Sequence, residues 1–166
     1  MSAITVRPEK SGDAPAIHRL TAAAFDGMPH SNGDEQELVD RLRADGDLTL
    51  SLVAEDAERV VGHIAFSPVT IADGAPGWHG LGPVSVLPEL QGQGVGSALV
   101  KRGIADMREA GSRGIVLLGS PEYYARFGFA HDPQIAYPGP PAEYFQHLLL
   151  EGELPRGTVR YAPAFG

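Results

Sequence analysis

The stretch Leu81–Ala110, LGPVSVLPELQGQGVGSALVKRGIADMREA, constrains this chain more than any other part of it. Val84, Ser85 and Val86 read as a strand. Beyond Ser97, Val100, Ile104, Met107 and Ala110 recur at helical spacing, and Gly111 is placed to end that helix. Between the two runs Gln91-Gly92-Gln93-Gly94-Val95-Gly96, whose alternating glycines let the backbone approach a ligand closely. A helix that starts at such a loop directs its unpaired amides and the positive end of its dipole at one spot, which favours a phosphate-bearing ligand.

The spacing excludes two common phosphate loops. A mononucleotide P-loop needs Lys directly behind its last glycine, whereas Lys101 comes five residues after Gly96. The dinucleotide fingerprint needs Gly-x-Gly-x-x-Gly early in a strand-helix-strand repeat, whereas Gly92, Gly94 and Gly96 alternate strictly and lie past mid-chain.

The loop resembles Gln/Arg-x-x-Gly-x-Gly/Ala, the pyrophosphate-binding motif of the GCN5-related N-acetyltransferase (GNAT) superfamily, with Gln91, Gly94 and Gly96 in its defining positions. Pro121–Phe129 resembles that family's Tyr-x-x-x-Gly-Phe element, and Leu154–Phe165 resembles a strand ending of one bacterial branch. With Ile4–Pro8 at the start, the likeness spans nearly the whole chain. It implies one acetyltransferase domain over residues 1–166, of the mixed α/β class: a mostly antiparallel central sheet, flanked by helices and splayed between its fourth and fifth strands. The expected cofactor is acetyl-CoA.

Composition agrees with a single soluble domain. A chain of 166 residues buries enough surface for a real core, and 43% of them are hydrophobic. No cysteine is present, which removes disulfides, thiolate metal sites and cysteine nucleophiles together. The six histidines are scattered, no ligand spacing appears, and no metal is expected. No apolar run approaches the roughly 20 residues of a membrane span, and no signal-like N-terminus is seen, so a cytoplasmic protein without a membrane partner is expected. A net charge of −8 disfavours nucleic acid and mildly favours a cationic substrate.

Ile4 and Val6 suggest a first strand, and Leu48–Val53 with Val60–Ile71 a hairpin turned at Asp56–Arg59. Asp13 and Asp34 are placed to cap two helices, separated by a surface loop over Gly27–Gly33 that includes His30. Pro83 cannot donate a ladder hydrogen bond, so the strand over His79–Val86 must be irregular. The resemblance implies the same: a bulge in the fourth strand, opening a gap for the pantetheine arm. Ile115–Leu118 reads as a buried strand, Ala142–Leu150 as a short helix and Thr158–Tyr161 as a last strand.

Acyl transfer to an amine needs a free lone pair, a polarised thioester carbonyl and a proton for the leaving thiolate. Presenting a lysine-like amine neutral at pH 7 costs about 4–5 kcal/mol, so a carboxylate or histidine acting through water would help. By resemblance, Tyr124 gives the proton, Val84, Ser85 and Val86 pair with pantetheine through their backbone, and Gln91, Gly92, Gln93, Gly94, Val95, Gly96 and Ser97 hold the pyrophosphate. Tyr123 is the neighbour most easily confused with Tyr124, since adjacent helical side chains diverge by about 100°. Many family members carry a glutamate on the fourth strand. This strand offers only His79 and Ser85, which leaves His79, Glu35 and Glu37 as candidates for the base, with Glu37 also readable as a capping-box residue. His63, between strand-like neighbours, is expected on the polar face of the sheet or in the acceptor cleft.

The expected reaction is direct attack by a primary amine, on a small molecule or a peptide, within a ternary complex. The alternative is an acyl-CoA-binding sensor without turnover, motivated by the missing glutamate. A homodimer is expected from the resemblance.

Overall fold

The β2–β3 hairpin organises the molecule. The computed structural model describes residues 4–29 and 31–166; His30 lies outside them. The elements are β1 (Ile4–Pro8), α1 (Ala14–Phe25), α2 (Glu35–Asp45), β2 (Leu50–Asp56), β3 (Arg59–Pro68), β4 (Thr70–Ile71), β5 (Trp78–Val86), α3 (Val95–Glu109), β6 (Gly114–Leu118), α4 (Pro121–Tyr124), β7 (Ile135–Ala136), β8 (Phe145–Leu149) and β9 (Gly157–Arg160). Ala57 and Glu58 both take positive φ, +50° and +68°, the conformation a tight hairpin turn requires.

Six strands form the main sheet in the order β1-β2-β3-β5-β6-β8, antiparallel throughout except for the β5–β6 pair. Helices cover both faces. Leu52, Ile64 and Phe66 join Leu99, Val100 and Met107 of α3, with Ile115 and Leu117, in the larger core. Val53 points to the other face and packs on Ile17 of α1 and Val39 of α2. Successive strand residues thus serve opposite layers, as the pleat demands. A Cβ on Gly103 would collide with the Phe66 ring, so glycine there lets α3 lie close to β3. A small second sheet, β4-β9-β7, extends a further core around Trp78, Val116, Phe145 and Val159.

Three local expectations are corrected. The Asp13 carboxylate does not cap α1; it accepts from Arg7 at 2.8 Å and from the Lys10 N–H at 2.7 Å. Asp34 makes no side-chain cap on α2 either, and no capping box forms with Glu37; Glu35 and Glu37 instead put negative charge in the first turn. Ala142–Leu150 is not a helix: one 3-10 turn over Ala142–Tyr144 leads into β8. The cause is tertiary. The edge of β6 away from β5 would be bare without β8, which pairs with it from Gly114 to Leu118, and Phe145 completes the second core. That pairing outweighs local helix preference.

Candidate active site

β5 and β6 run side by side for only three residues. Trp78, His79 and Gly80 pair with Gly114, Ile115 and Val116, and beyond Gly80 the strands part, although β5 continues to Val86 and β6 to Leu118. The opposite edge of β5 stays paired, with Val84, Ser85 and Val86 facing Ile64, His63 and Gly62, apart from a register shift between Ile64 and Phe66. Pro83 sits at that irregularity and lacks an N–H. The splay expected between the fourth and fifth strands is therefore present, between β5 and β6 once the two-residue β4 is counted. It leaves the β6-facing edge of Val84–Val86 unpaired, and this edge suits an extended chain with amide groups.

The glycine loop closes one end of this opening. Gly92 and Gly94 take φ of +78° and +89°. Gln91 turns back so that its Nε2 donates to Val86 O at 3.1 Å, and Gln93 donates to Glu89 O at 3.3 Å; both brace the loop. The ladder of α3 begins where the Ala98 N–H donates to Gly94 O at 3.0 Å. The amides of Val95, Gly96 and Ser97 precede this first rung. Unlike α2, α3 carries no acidic residue in its first turn, so its dipole is uncompensated by its own side chains. Gly96 has ordinary helical φ, and a Cβ there would meet protein atoms no nearer than 3.7 Å. Neither backbone nor packing requires that glycine; an anion lying on the helix end would.

The two tyrosines divide as their helical positions dictate. Tyr123 places its hydroxyl 2.9 Å from that of Ser97, and the Arg126 guanidinium lies 4.3 Å from the centre of its ring. Tyr124 turns inward over Gly119 at the end of β6, against Phe127 and Phe129. Burial, reinforced by Tyr123, pushes the Tyr124 phenol up to about 12, so it stays protonated at neutral pH. The Tyr123–Ser97 contact was not legible in the sequence. Its only signal is the divergence of adjacent helical side chains, which does not say which one meets α3.

Other expected residues scatter. His79 stands at the paired end of β5, roughly 20 Å along the strand from Ser85, with its Nδ1 2.8 Å from Ser112 Oγ; burial lowers its pKa. Glu35 accepts from Ser31 Oγ at 2.7 Å, and Glu37 is exposed on the first turn of α2. His63 is neither on a polar face nor in a cleft. It is fully buried on the α1/α2 side, its Nε2 2.8 Å from Ser51 Oγ, which in turn donates to Glu9 at 2.7 Å beside Arg43. Burial pulls His63 down to about 4, against the pull of the Glu9 carboxylate. No strand pattern reveals this row, because it joins segments far apart in sequence.

No helix among the described residues is long and apolar enough to cross a membrane. A family model described as an acetyltransferase (GNAT) domain matches residues 5–131, which include the glycine loop, α4 and Phe129. The chain is 37% identical over 167 aligned positions to the uncharacterized N-acetyltransferase YhbS of Escherichia coli K12, covering 96% of this chain and 97% of that one. A crystal structure of a GNAT family acetyltransferase from Brucella melitensis in complex with acetyl-CoA superposes with a TM-score of 0.89 at 48% identity, over 99% of both chains. The structure of Escherichia coli YhbS in complex with CoA gives a TM-score of 0.88 at 35% identity, over 99% of this chain and 93% of that one. On these grounds, the chain belongs to the GNAT acetyltransferase family.

Proposed function

We propose that this protein transfers an acetyl group from acetyl-CoA to a primary amine, by direct attack of the amine within a ternary complex. The observation that carries the reading is the coincidence of two unsatisfied backbone features. The uncompensated amide end of α3, with its glycine loop, adjoins the unpaired edge of β5. Bound there, acetyl-CoA supplies an activated thioester.

Within this reading each residue has a task. Amides of Gly92–Ser97 hold the pyrophosphate, with Gln91 fixing the loop. Val84–Val86 offer backbone donors and acceptors to the pantetheine arm and polarise the carbonyl. Tyr124, kept protonated by burial, hydrogen-bonds the departing sulfur and gives up its proton. The acceptor amine must lose a proton first, and Glu37, exposed at the head of α2, is the carboxylate assigned to take it. His79 is left out, because it stands at the paired end of β5.

The test is thermal stabilisation by acetyl-CoA. At 100 times its dissociation constant a ligand adds about 2.7 kcal/mol, or roughly 5–10 °C in a domain of this size. The expected result is a shift in the native protein that Gly94→Trp abolishes, followed by release of free thiol when an amine is added. No shift in the folded native protein sinks the reading. A shift without thiol release from any amine favours a sensor, for which the absence of a carboxylate on β5 is the supporting observation.

A further inference from the structure

The opening between β5 and β6 has two sides, and they differ in chemistry. Ile115 and Leu117 face α3, whereas Val116 faces the second core. Leu118 follows Val116 in the alternation, so it projects on the side away from α3 and its glycine loop. There it lines a cleft of about 910 Å³ with Gly119, Pro121, Glu122, Pro140, Pro141 and Tyr144. The cleft lies next to Tyr124, because its lining residue Gly119 packs against the ring of that tyrosine.

The walls are mainly apolar, with Ser120 and Glu122 as polar exceptions. Leu118 and Tyr144 are 41% and 45% exposed, high values for large hydrophobic side chains. The lining prolines restrict the backbone. The Gly119 N–H donates to Tyr144 O at 3.0 Å and the Gln146 amide donates to Gly119 O at 2.9 Å, which ties the two walls together. Glu122 is the only ionisable lining side chain besides the Tyr144 phenol. A site with one carboxylate on mainly apolar, partly aromatic walls attracts an ammonium and favours an apolar arm.

Resting on the acetyltransferase reading above, we propose that this cleft is the acceptor site and that it takes a primary amine carried on an apolar, ring-bearing arm. Hydroxyl-rich or acidic amines would leave its walls without partners. Glu122 orients the ammonium, while Leu118 and Tyr144 enclose the ring.

The experiment compares acetylation of phenethylamine and ethanolamine, which differ in the replacement of a phenyl ring by a hydroxyl. The expected kcat/KM ratio is about 30-fold in favour of phenethylamine, the discrimination that burial of most of a ring supplies. Tyr144→Ala and, separately, Leu118→Thr should each cut that ratio about 5-fold or more while retaining the acetyl-CoA thermal shift, which also reports folding. Equal kcat/KM for the two amines overturns the proposal, as does a ratio that neither variant changes. Acetyl-CoA binding with no turnover of either amine overturns it too, leaving the cofactor loop intact. Failure of the native protein to bind acetyl-CoA removes the acetyltransferase reading itself, a separate outcome.

Discussion

The hydroxyls of Tyr123 and Ser97 stand 2.9 Å apart, tying the short helix α4 to the first turn of α3. Its neighbour Tyr124 contributes a ring to the core beside the opening rather than a contact to α3. Adjacent tyrosines therefore serve different elements, Tyr123 joining α4 to α3 and Tyr124 packing beside the opening.

Tyr123→Phe removes one hydrogen bond that positions Ser97, worth about 1 kcal/mol net. Titration calorimetry should show acetyl-CoA affinity falling about 5-fold, with kcat nearly unchanged. Tyr124→Phe should do the reverse: kcat falls about 100-fold, within the range for losing a general acid, with little change in KM. An exchange of these two patterns in steady-state kinetics would reassign the proton donor to Tyr123.

Gly94 and Gly96 should separate under substitution. Gly94→Ala forces a side chain into φ of +89° and should cost about 1 kcal/mol of stability in urea unfolding. Gly96→Ala meets neither strain nor collision, so its stability should match or slightly exceed the native value. Its acetyl-CoA affinity should nevertheless fall at least 10-fold, because the added methyl occupies the space above the helix end. Full affinity in Gly96→Ala would mean that the anion lies elsewhere.

Buried His63 makes stability fall as the solution becomes acidic. The unfolded chain protonates this ring near pH 6.5, whereas the folded chain resists until about pH 4. Its contribution is complete above pH 6.5 and is lost as pH falls from there toward 4, by about 3 kcal/mol. His79 and His147, also lowered by burial, act in the same direction, so the comparison must be with a variant. Urea unfolding at pH 7 and pH 4.5 should show a smaller loss for His63→Gln than for the native protein. Equal losses would place the acid sensitivity in other groups.

Much of this arrangement is legible in the residues themselves. The strand, glycine loop and helix of Leu81–Ala110 announce themselves through local patterns, and Pro83 marks the irregular strand because its missing N–H is a chemical fact. β8 is not legible, because Phe145–Leu149 becomes a strand only when β6 offers its edge. The cap at Asp13 fails for a similar reason: Arg7, brought alongside by β1, outcompetes the helix end for the Asp13 carboxylate. The glycine loop is encoded locally. The cleft proposed for the acceptor, assembled from Leu118–Glu122 and Pro140–Tyr144, depends on contacts that no window of sequence contains.

Leu42 of α2 packs on Ala162 and Ala164, and β9 is the strand that joins β4 to β7. Early and late segments thus finish each other's surfaces. During synthesis, Leu42 and β4 leave the ribosome long before Ala162, Ala164 and β9 exist, and a nascent chain that has reached only α3 still leaves the Leu42 side of α2 without those late partners. Contacts this distant along the chain are also slow to form. The interval between emergence of α2 and emergence of Ala164 is when this protein is most exposed to aggregation and to chaperones.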